Sequence, residues 1–494
     1  MARGAAWMVL FKLTERSLGL VSTLILARLL VPADFGLVAM ALSFIFMAEL
    51  LTAFGFDVAL IQNQNASVEH YNTAWTGNFL LGISVTFLML ALAVPIAHFY
   101  RKPELVWIVC ALAAGPAVSG LENIGIVAFR KDLDFRREFS FQISRKVIGF
   151  LVVVPLAFLL RNYWALVAGI LASKLTGTVL SYLIHPFRPR FTLSKFRELF
   201  RFSRWLLFNN GVAYFKERSS DFFIGRIHGA APLGVFNISQ ELANLPSSEL
   251  SAPINRALLP GFAKMTSPDE IASAYGNAVG VMALLTLPAS AGLLAVAPYL
   301  VFVVLGAKWL DAIPLMEVLA FNGALLMFHS SICSLLIARG HPAQVTLANG
   351  IYVLFLLTLL ALLSWRFGVV GAAYAALLSS VLATPVYLWH LQRRLGIAVS
   401  VFVRAVMKPL VAATLMAVVV RVALPEFSPD IQMAAGTAWL VSGVVIGVLT
   451  YLIVTATMWL AAGRPPGPEL LVLERVLPLF RGRRPVAGSS TDKS

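Results

Sequence analysis

Apolar runs of twenty or more residues recur along the chain, separated by short polar breaks. Fourteen can be drawn, at 5–30, 35–61, 72–99, 105–129, 139–160, 163–185, 200–228, 232–262, 274–304, 312–338, 343–365, 369–392, 402–424 and 433–461. About 20 apolar helical residues cross a bilayer core, so each run reads as a transmembrane helix. The expected fold class is an all-α integral membrane protein with about 14 transmembrane helices. The first, second, seventh and eighth runs stand out because they are rich in polar residues.

The eighth run is recovered through an internal repeat. The segment from Arg28 to Gln62 holds the end of one apolar run, a Pro-Ala-Asp turn (Pro32, Asp34) and a second run. It is echoed 198 residues later by the segment from Arg226 to Pro260. At that offset Arg28 falls on Arg226, Gly36 on Gly234, Val38 on Phe236, and Ala59-Leu60 on Ala257-Leu258. Two halves repeating in the same sense imply a pseudo-two-fold axis along the membrane normal. The organisation expected is two parallel-repeat six-helix lobes around a central cavity, followed by two extra C-terminal helices. In chain order these are an N-lobe at 1–185, a basic linker at 186–200, a C-lobe at 201–395, two further spans in 396–463, and a basic cytoplasmic tail at 464–494.

Composition agrees with the pattern. Of 494 residues 59% are hydrophobic and 13% charged, where soluble domains carry about 25% charged residues. The net charge of +15 is explained by loop placement, not by nucleic acid. With the N-terminus inside, basic residues favour the inner loops two to one, which puts both termini in the cytoplasm. The most basic connector, 185–204, is expected to include a short helix on the inner membrane surface, and the middle of the tail a short interfacial helix. Cys110 and Cys333 lie inside apolar runs and read as small core residues. The N-terminus leads straight into the first span, so no cleavable signal peptide is expected. There is no P-loop, HExxH, GxSxG or metal-spaced Cys/His cluster. Every outer loop is also too short for a membrane-embedded polymerase or ligase, so the chain is not expected to be an enzyme.

Ionisable residues inside spans are costly and therefore informative. Twelve concentrate in the four polar runs: Lys12, Glu15, Arg16, Glu49, Asp57, Lys216, Glu217, Arg218, Asp221, Glu241, Glu249 and Arg256. The rest of the membrane region offers Glu122, Lys174, Glu317 and His329, with Arg145 and Lys146 near an inner end. The concentration implies a shared polar cavity. The competing reading is of ion pairs that only hold helices together, such as Arg218 with Asp221 at helical spacing. One division of labour has Arg and Lys holding a phosphate-bearing substrate, since the planar guanidinium matches phosphate oxygens, while a carboxylate binds a coupling ion.

The first segment, with Arg28, Leu29, Leu30, Pro32, Asp34, Phe35, Gly36 and, further on, Ala59, Leu60, Ile61 and Gln62, resembles the N-terminal signature of Wzx-type polysaccharide flippases. The second, with Asp221, Gly225, Arg226, Gly229, Leu233, Gly234 and Pro246, is similar to their second signature. Phe236 and Glu241 depart from it, where Tyr and a basic residue are common. The resemblance places the chain in the multidrug/oligosaccharidyl-lipid/polysaccharide exporter superfamily. It implies a V of two lobes with a cavity lined by spans one, two, seven and eight. It also implies an undecaprenyl-diphosphate-linked oligosaccharide as substrate, flipped across the bacterial inner membrane by alternating access for surface polysaccharide synthesis. Substrate is then expected at Lys12, Arg16, Lys216, Arg218 and Arg256, and ion coupling at Glu49, Asp57, Asp221 and Glu249. No cofactor is expected beyond coupling to a Na+ or H+ gradient. Expected partners are membrane lipids, the lipid-linked glycan, and polysaccharide polymerase and export machinery. The alternative is an ion-coupled multidrug exporter of the same superfamily.

Overall fold

The computed structural model describes residues 2–50, 55–132, 134–265, 267–464 and 467–470. Among these every regular element is helical. The first half comprises α1 (Ala2–Leu29), α2 (Pro32–Leu50), α3 (Phe56–Gln62), α4 (Val68–Tyr100), α5 (Leu105–Gly120), α6 (Val127–Lys131), α7 (Phe135–Leu160) and α8 (Trp164–Ile184). The second comprises α9 (Phe196–His228), α10 (Ala230–Lys264), α11 (Pro268–Leu300), α12 (Ala312–Ala338), α13 (Pro342–Leu359), α14 (Trp365–Leu395), α15 (Val399–Ala423) and α16 (Met433–Ala461). Proline opens α2, α11 and α13, where its missing N–H would have no intrahelical partner anyway.

Length and hydropathy identify nine membrane-crossing helices among the described residues, or ten if one bent pair is a single span. The count of fourteen is therefore not reached on those criteria. Helices α1, α9 and α10 are long enough, at 28, 33 and 35 residues, but fall short of the test for apolar composition. The fourth expected span is broken: α5 and the segment Ile124–Lys131 meet at 64°. The second is also interrupted, with Gly55 at φ +63° leading into the short α3. Pro32 to Asp34, expected as a turn, form the first turn of α2, and the reversal occurs one residue earlier. The chain separates into two compact units, one of residues 1–242, 298–319 and 345–383, the other of 243–297, 320–344 and 384–494.

In the first unit the two halves of the sequence repeat meet. A Cβ on Gly36 would overlap the carbonyl of Ala230, and a Cβ on Gly234 would overlap the carbonyl of Pro32. Since 36 maps to 234 and 32 to 230 at the repeat offset, this is one contact made twice, as a two-fold axis requires. The repeat-related arginines cross over in the same way. Arg28 donates from Nε to the Val304 carbonyl at 3.0 Å and from Nη2 to Val303, in the π-helical turn that ends α11. Arg226 lies over the ring of Phe99, 5.7 Å from its centroid, at the end of α4. Trp309, fully buried, donates its indole N–H to the Ala27 carbonyl at 2.8 Å. Buried Asp34 accepts from the Val31 and Tyr163 backbone N–H groups at 3.1 and 3.0 Å, tying the α1–α2 and α7–α8 turns together. This end of the unit is called the knuckle end below.

At the opposite end residues 186–193 form no helix. The surface helix expected within 185–204 is absent from that stretch, and helix begins only with α9 at Phe196. The reason lies in the first turns of α4, which offer buried polar side chains to the connector's backbone. Asn72 Oδ1 accepts from Arg190 N at 2.8 Å, Thr76 Oγ1 from Thr192 N at 3.1 Å, and Thr73 Oγ1 from Lys195 N at 3.3 Å. Asn123 Nδ2 donates to the Phe187 carbonyl at 2.7 Å. A strap whose backbone groups are taken up by side chains in this way depends less on helical hydrogen bonds. The tail helix expected beyond residue 470 lies outside the described residues.

In the second unit α16 packs on α15 through Gly443 and Gly447, which face Leu424, Val420 and Met416. His329 Nε2 lies 2.9 Å from Thr384 Oγ1 and its ring stacks on Tyr387.

Because neither knuckle glycine has space for a methyl group, Gly36→Ala and Gly234→Ala are each expected to cost about 1–3 kcal/mol, the usual range for overpacking. The check is the thermal unfolding midpoint of the detergent-purified protein. Gly211→Ala, on α9 with open space around it, should leave the midpoint unchanged or slightly raised.

Candidate functional site

A cavity of about 650 Å³ opens in the first unit among α1, α2, α7 and α8, with α9 and α10 completing its wall. Small residues make room for it and for its cations. Gly149 and Gly169 let α7 and α8 approach, and Gly177 leaves space that the Arg145 guanidinium occupies. Four basic side chains line the cavity: Arg145 and Lys146 from α7, Lys174 from α8 and Arg218 from α9. Glu241 is the only carboxylate in the lining among the described residues, and Thr23 Oγ1 donates to it at 3.4 Å.

Three of the four cations are held by carboxylates set behind the lining. Arg145 Nη1 lies 3.3 Å from Glu122, Lys174 Nζ 3.0 Å from Glu49, and Arg218 Nη1 3.2 Å from Asp221. Asp221 is nearly sealed, its side chain 3% exposed, while Arg218 is 36% exposed. The guanidinium of Arg218 also lies over the ring of Phe46 at 5.2 Å. Each of these three cations lines the cavity, and its counter-ion lies outside the lining. A dianionic ligand entering this space could take over hydrogen bonds that the carboxylates now accept, without any charge having to leave the wall.

The residues expected from sequence fall in different places. Arg218 lines the cavity, and Glu49 and Asp221 are the partners of two of its cations. Arg16 is exposed on α1 and acts electrostatically on Glu241. Lys216, two residues before Arg218, points elsewhere: its Nζ donates to Asn349 Oδ1 at 2.9 Å and lies over Tyr352. Asp57 belongs to a separate pocket of about 220 Å³, where it pairs with Arg130 at 3.5 Å beside Glu138. Lys12, Arg256 and Glu249 have side chains outside the described residues. His228 ends α9 with Nε2 3.0 Å from the Ser364 carbonyl.

The cations that sequence reasoning set aside are Arg145, Lys146 and Lys174. Their signal was present, since adjacent basic residues on α7 and a lysine inside α8 are costly in an apolar span. It was discounted because α7 and α8 lie outside the repeat-related polar runs.

Comparison with known proteins bears on the whole chain. The family model described as polysaccharide biosynthesis protein matches residues 25–314. The chain is 27% identical over 345 residues to the lipopolysaccharide biosynthesis protein WzxC of Escherichia coli (strain K12), covering 68% of this chain and 69% of that protein. It is 25% identical, over an alignment of 505 residues, to the succinoglycan biosynthesis transport protein ExoT of Rhizobium meliloti (strain 1021), covering 98% and 96%. Among solved structures it shares the fold of the lipid II flippase MurJ in an inward closed conformation. The TM-score is 0.76 at 14% identity, over 92% of this chain and 100% of that one. An inward-facing multidrug transporter of the MATE family is more distant, at TM-score 0.55 and 16% identity over 77% and 94%.

Removing Arg218 would strand a nearly sealed carboxylate. Arg218→Ala is expected to destabilise toward the low end of the roughly 3–5 kcal/mol typical when one partner of a buried pair is lost, because Arg218 itself is partly exposed. Adding Asp221→Asn to Arg218→Ala should recover part of that loss. A thermal-unfolding double-mutant cycle reads the coupling, and simple additivity would mean the pair is not coupled.

Proposed function

This chain belongs to the polysaccharide biosynthesis protein family, and we propose that within it the protein is a flippase for undecaprenyl-diphosphate-linked oligosaccharide repeat units in surface polysaccharide synthesis. The observation that carries the reading is the cavity of about 650 Å³ with four basic side chains in its lining. Its size falls within the roughly 300–1,000 Å³ of ordinary ligand sites, enough for a diphosphate with its adjoining sugar. Arg145, Lys174 and Arg218 would exchange their wall carboxylates for phosphate oxygens, while the polyprenyl tail stays in lipid. The relatives in Escherichia coli and Rhizobium meliloti, which serve lipopolysaccharide biosynthesis and succinoglycan biosynthesis transport, support a carbohydrate precursor over a drug.

On this reading the protein sits in a bacterial inner membrane with both termini in the cytoplasm, and the knuckle faces outward. Lobes at 1–185 and 201–395, joined by the linker at 186–200, rock to expose the cavity to either side. Breaking and remaking the reciprocal glycine contact would be part of that cycle. Coupling to a Na+ or H+ gradient falls to Glu49 and Asp221, whose ionisation sets how firmly Lys174 and Arg218 are held. Asp57 and Glu249 stay as further candidates for the ion, and Lys12, Arg16, Lys216 and Arg256 for the substrate. Polysaccharide polymerase and export machinery would take up the product.

The test deletes the gene in its host and follows undecaprenyl-diphosphate-linked glycans and surface polysaccharide. Cytoplasm-facing lipid-linked units should accumulate while polymer is lost. Wild type should rescue; Arg145→Ala, Lys174→Ala and Arg218→Ala, at matched protein levels, should restore less than about a tenth of polymer, as losing a charged phosphate contact would give. Full rescue by all three would remove the cavity from the transport route. Normal polysaccharide with new sensitivity to cationic drugs would favour a multidrug exporter. Flipping in vesicles that ignored both Na+ and H+ gradients would end the coupling proposal.

A further inference from the structure

A second cavity, of about 350 Å³, lies at the knuckle end, at the turn between α4 and α5, apart from the cavity assigned to transport. Its chemistry is two-sided. His98, Arg101 and Lys102 supply basic groups, and no carboxylate is among its lining residues. Val94, Ala97 and Val106 make an apolar floor. Arg101 and Lys102 make no ion pair among the described residues, whereas three of the cations in the larger cavity are paired. Glu104, two residues past Lys102, stays out of the lining.

The surroundings mark the level of the bilayer. Trp107 is 70% exposed and Phe99 40% exposed, on either side of the turn. Exposed aromatic rings at helix ends settle at the headgroup level of a membrane. Arg226 stands over the outer neighbour of the pocket, Phe99, and adds positive charge one ring away. Basic groups above an apolar floor at that depth match a lipid whose phosphate sits at the interface and whose chain begins just below it.

We propose that this pocket binds the phosphate of an anionic lipid headgroup in the leaflet at the knuckle end, with the first carbons of the lipid tail on the floor of Val94, Ala97 and Val106. Arg101 grips the phosphate through its fork and Lys102 as a point charge, and the His98 ring is in place to donate an N–H. The site does not depend on what the larger cavity carries; a drug exporter of this fold would hold the same lipid.

Arg101 offers a clean variant. It sits at φ +55°, in the left-handed region that glycine enters freely, so Arg101→Gly removes the charge without straining the turn. The full-length protein in detergent is titrated with phosphatidylglycerol, phosphatidylcholine or inorganic phosphate, and read by native mass spectrometry and thermal unfolding. Phosphatidylglycerol should bind and raise the unfolding midpoint, and phosphatidylcholine should not. Arg101→Gly with Lys102→Gln should weaken phosphatidylglycerol binding at least about tenfold, in keeping with two basic residues lost from an anionic lipid contact. Arg393→Gln with Arg394→Gln, exposed at the end of α14, should leave it unchanged. Undiminished phosphatidylglycerol binding in the first double variant would overturn the proposal. So would equal loss in the second, equal binding of phosphatidylcholine, or inorganic phosphate competing at concentrations equal to the lipid's.

Discussion

The contact on which the first unit depends is the approach of two glycines to two carbonyls. Gly36 lies against Ala230 and Gly234 against Pro32, with no space for a side chain at either. Each glycine stands one turn inside a helix that has just reversed direction, so the contact brings two reversals together backbone to backbone. Burying backbone polar groups this closely is tolerable because the helices satisfy them internally. The arginines then reinforce the pairing crosswise: Arg28 reaches carbonyls in the turn that ends α11, and Arg226 reaches the ring that ends α4. The repeat in the sequence is thus the record of a symmetric contact in space.

Such a seal is dense. Shape, two arginines and one indole hold it, beside the ring contacts of Phe44 with Phe222 and of Phe35 with Trp309. Close-packed contacts of this kind tend to have discrete arrangements instead of graded ones. The strap at the other end of the unit works differently. Its backbone is bound by Asn72, Thr73 and Thr76 on one helix, so it follows α4 through side-chain hydrogen bonds while leaving its own arginines facing outward.

The larger cavity holds its cations in a particular way. An unpaired lysine or arginine in this setting would be expensive, and a sealed ion pair would be inert. Here Lys174 and Arg218 line the cavity while Glu49 and the nearly sealed Asp221 lie outside its lining, so the charges are compensated yet accessible. Pairing that holds helices and pairing that prepares a site are the same pairing. The two readings offered by the charges along the chain therefore do not exclude each other.

Much of this was legible in the chain. Run length and the small charged fraction set an all-helical membrane protein, because a bilayer admits few other solutions. The 198-residue repeat named Gly36, Gly234, Arg28 and Arg226 as equivalent, and spacing alone matched Arg218 with Asp221. Sequence could not say which charges share a space, because helical neighbours separate by rotation about the axis. Lys216 and Arg218 are two residues apart, and one faces Asn349 while the other faces the cavity. Nor could it recruit Arg145 and Lys174, which reach the site only because Gly177 and Gly115 leave space for their side chains. Local periodicity is written in the chain itself; which faces meet is settled by packing between different helices, and that only the tertiary structure decides.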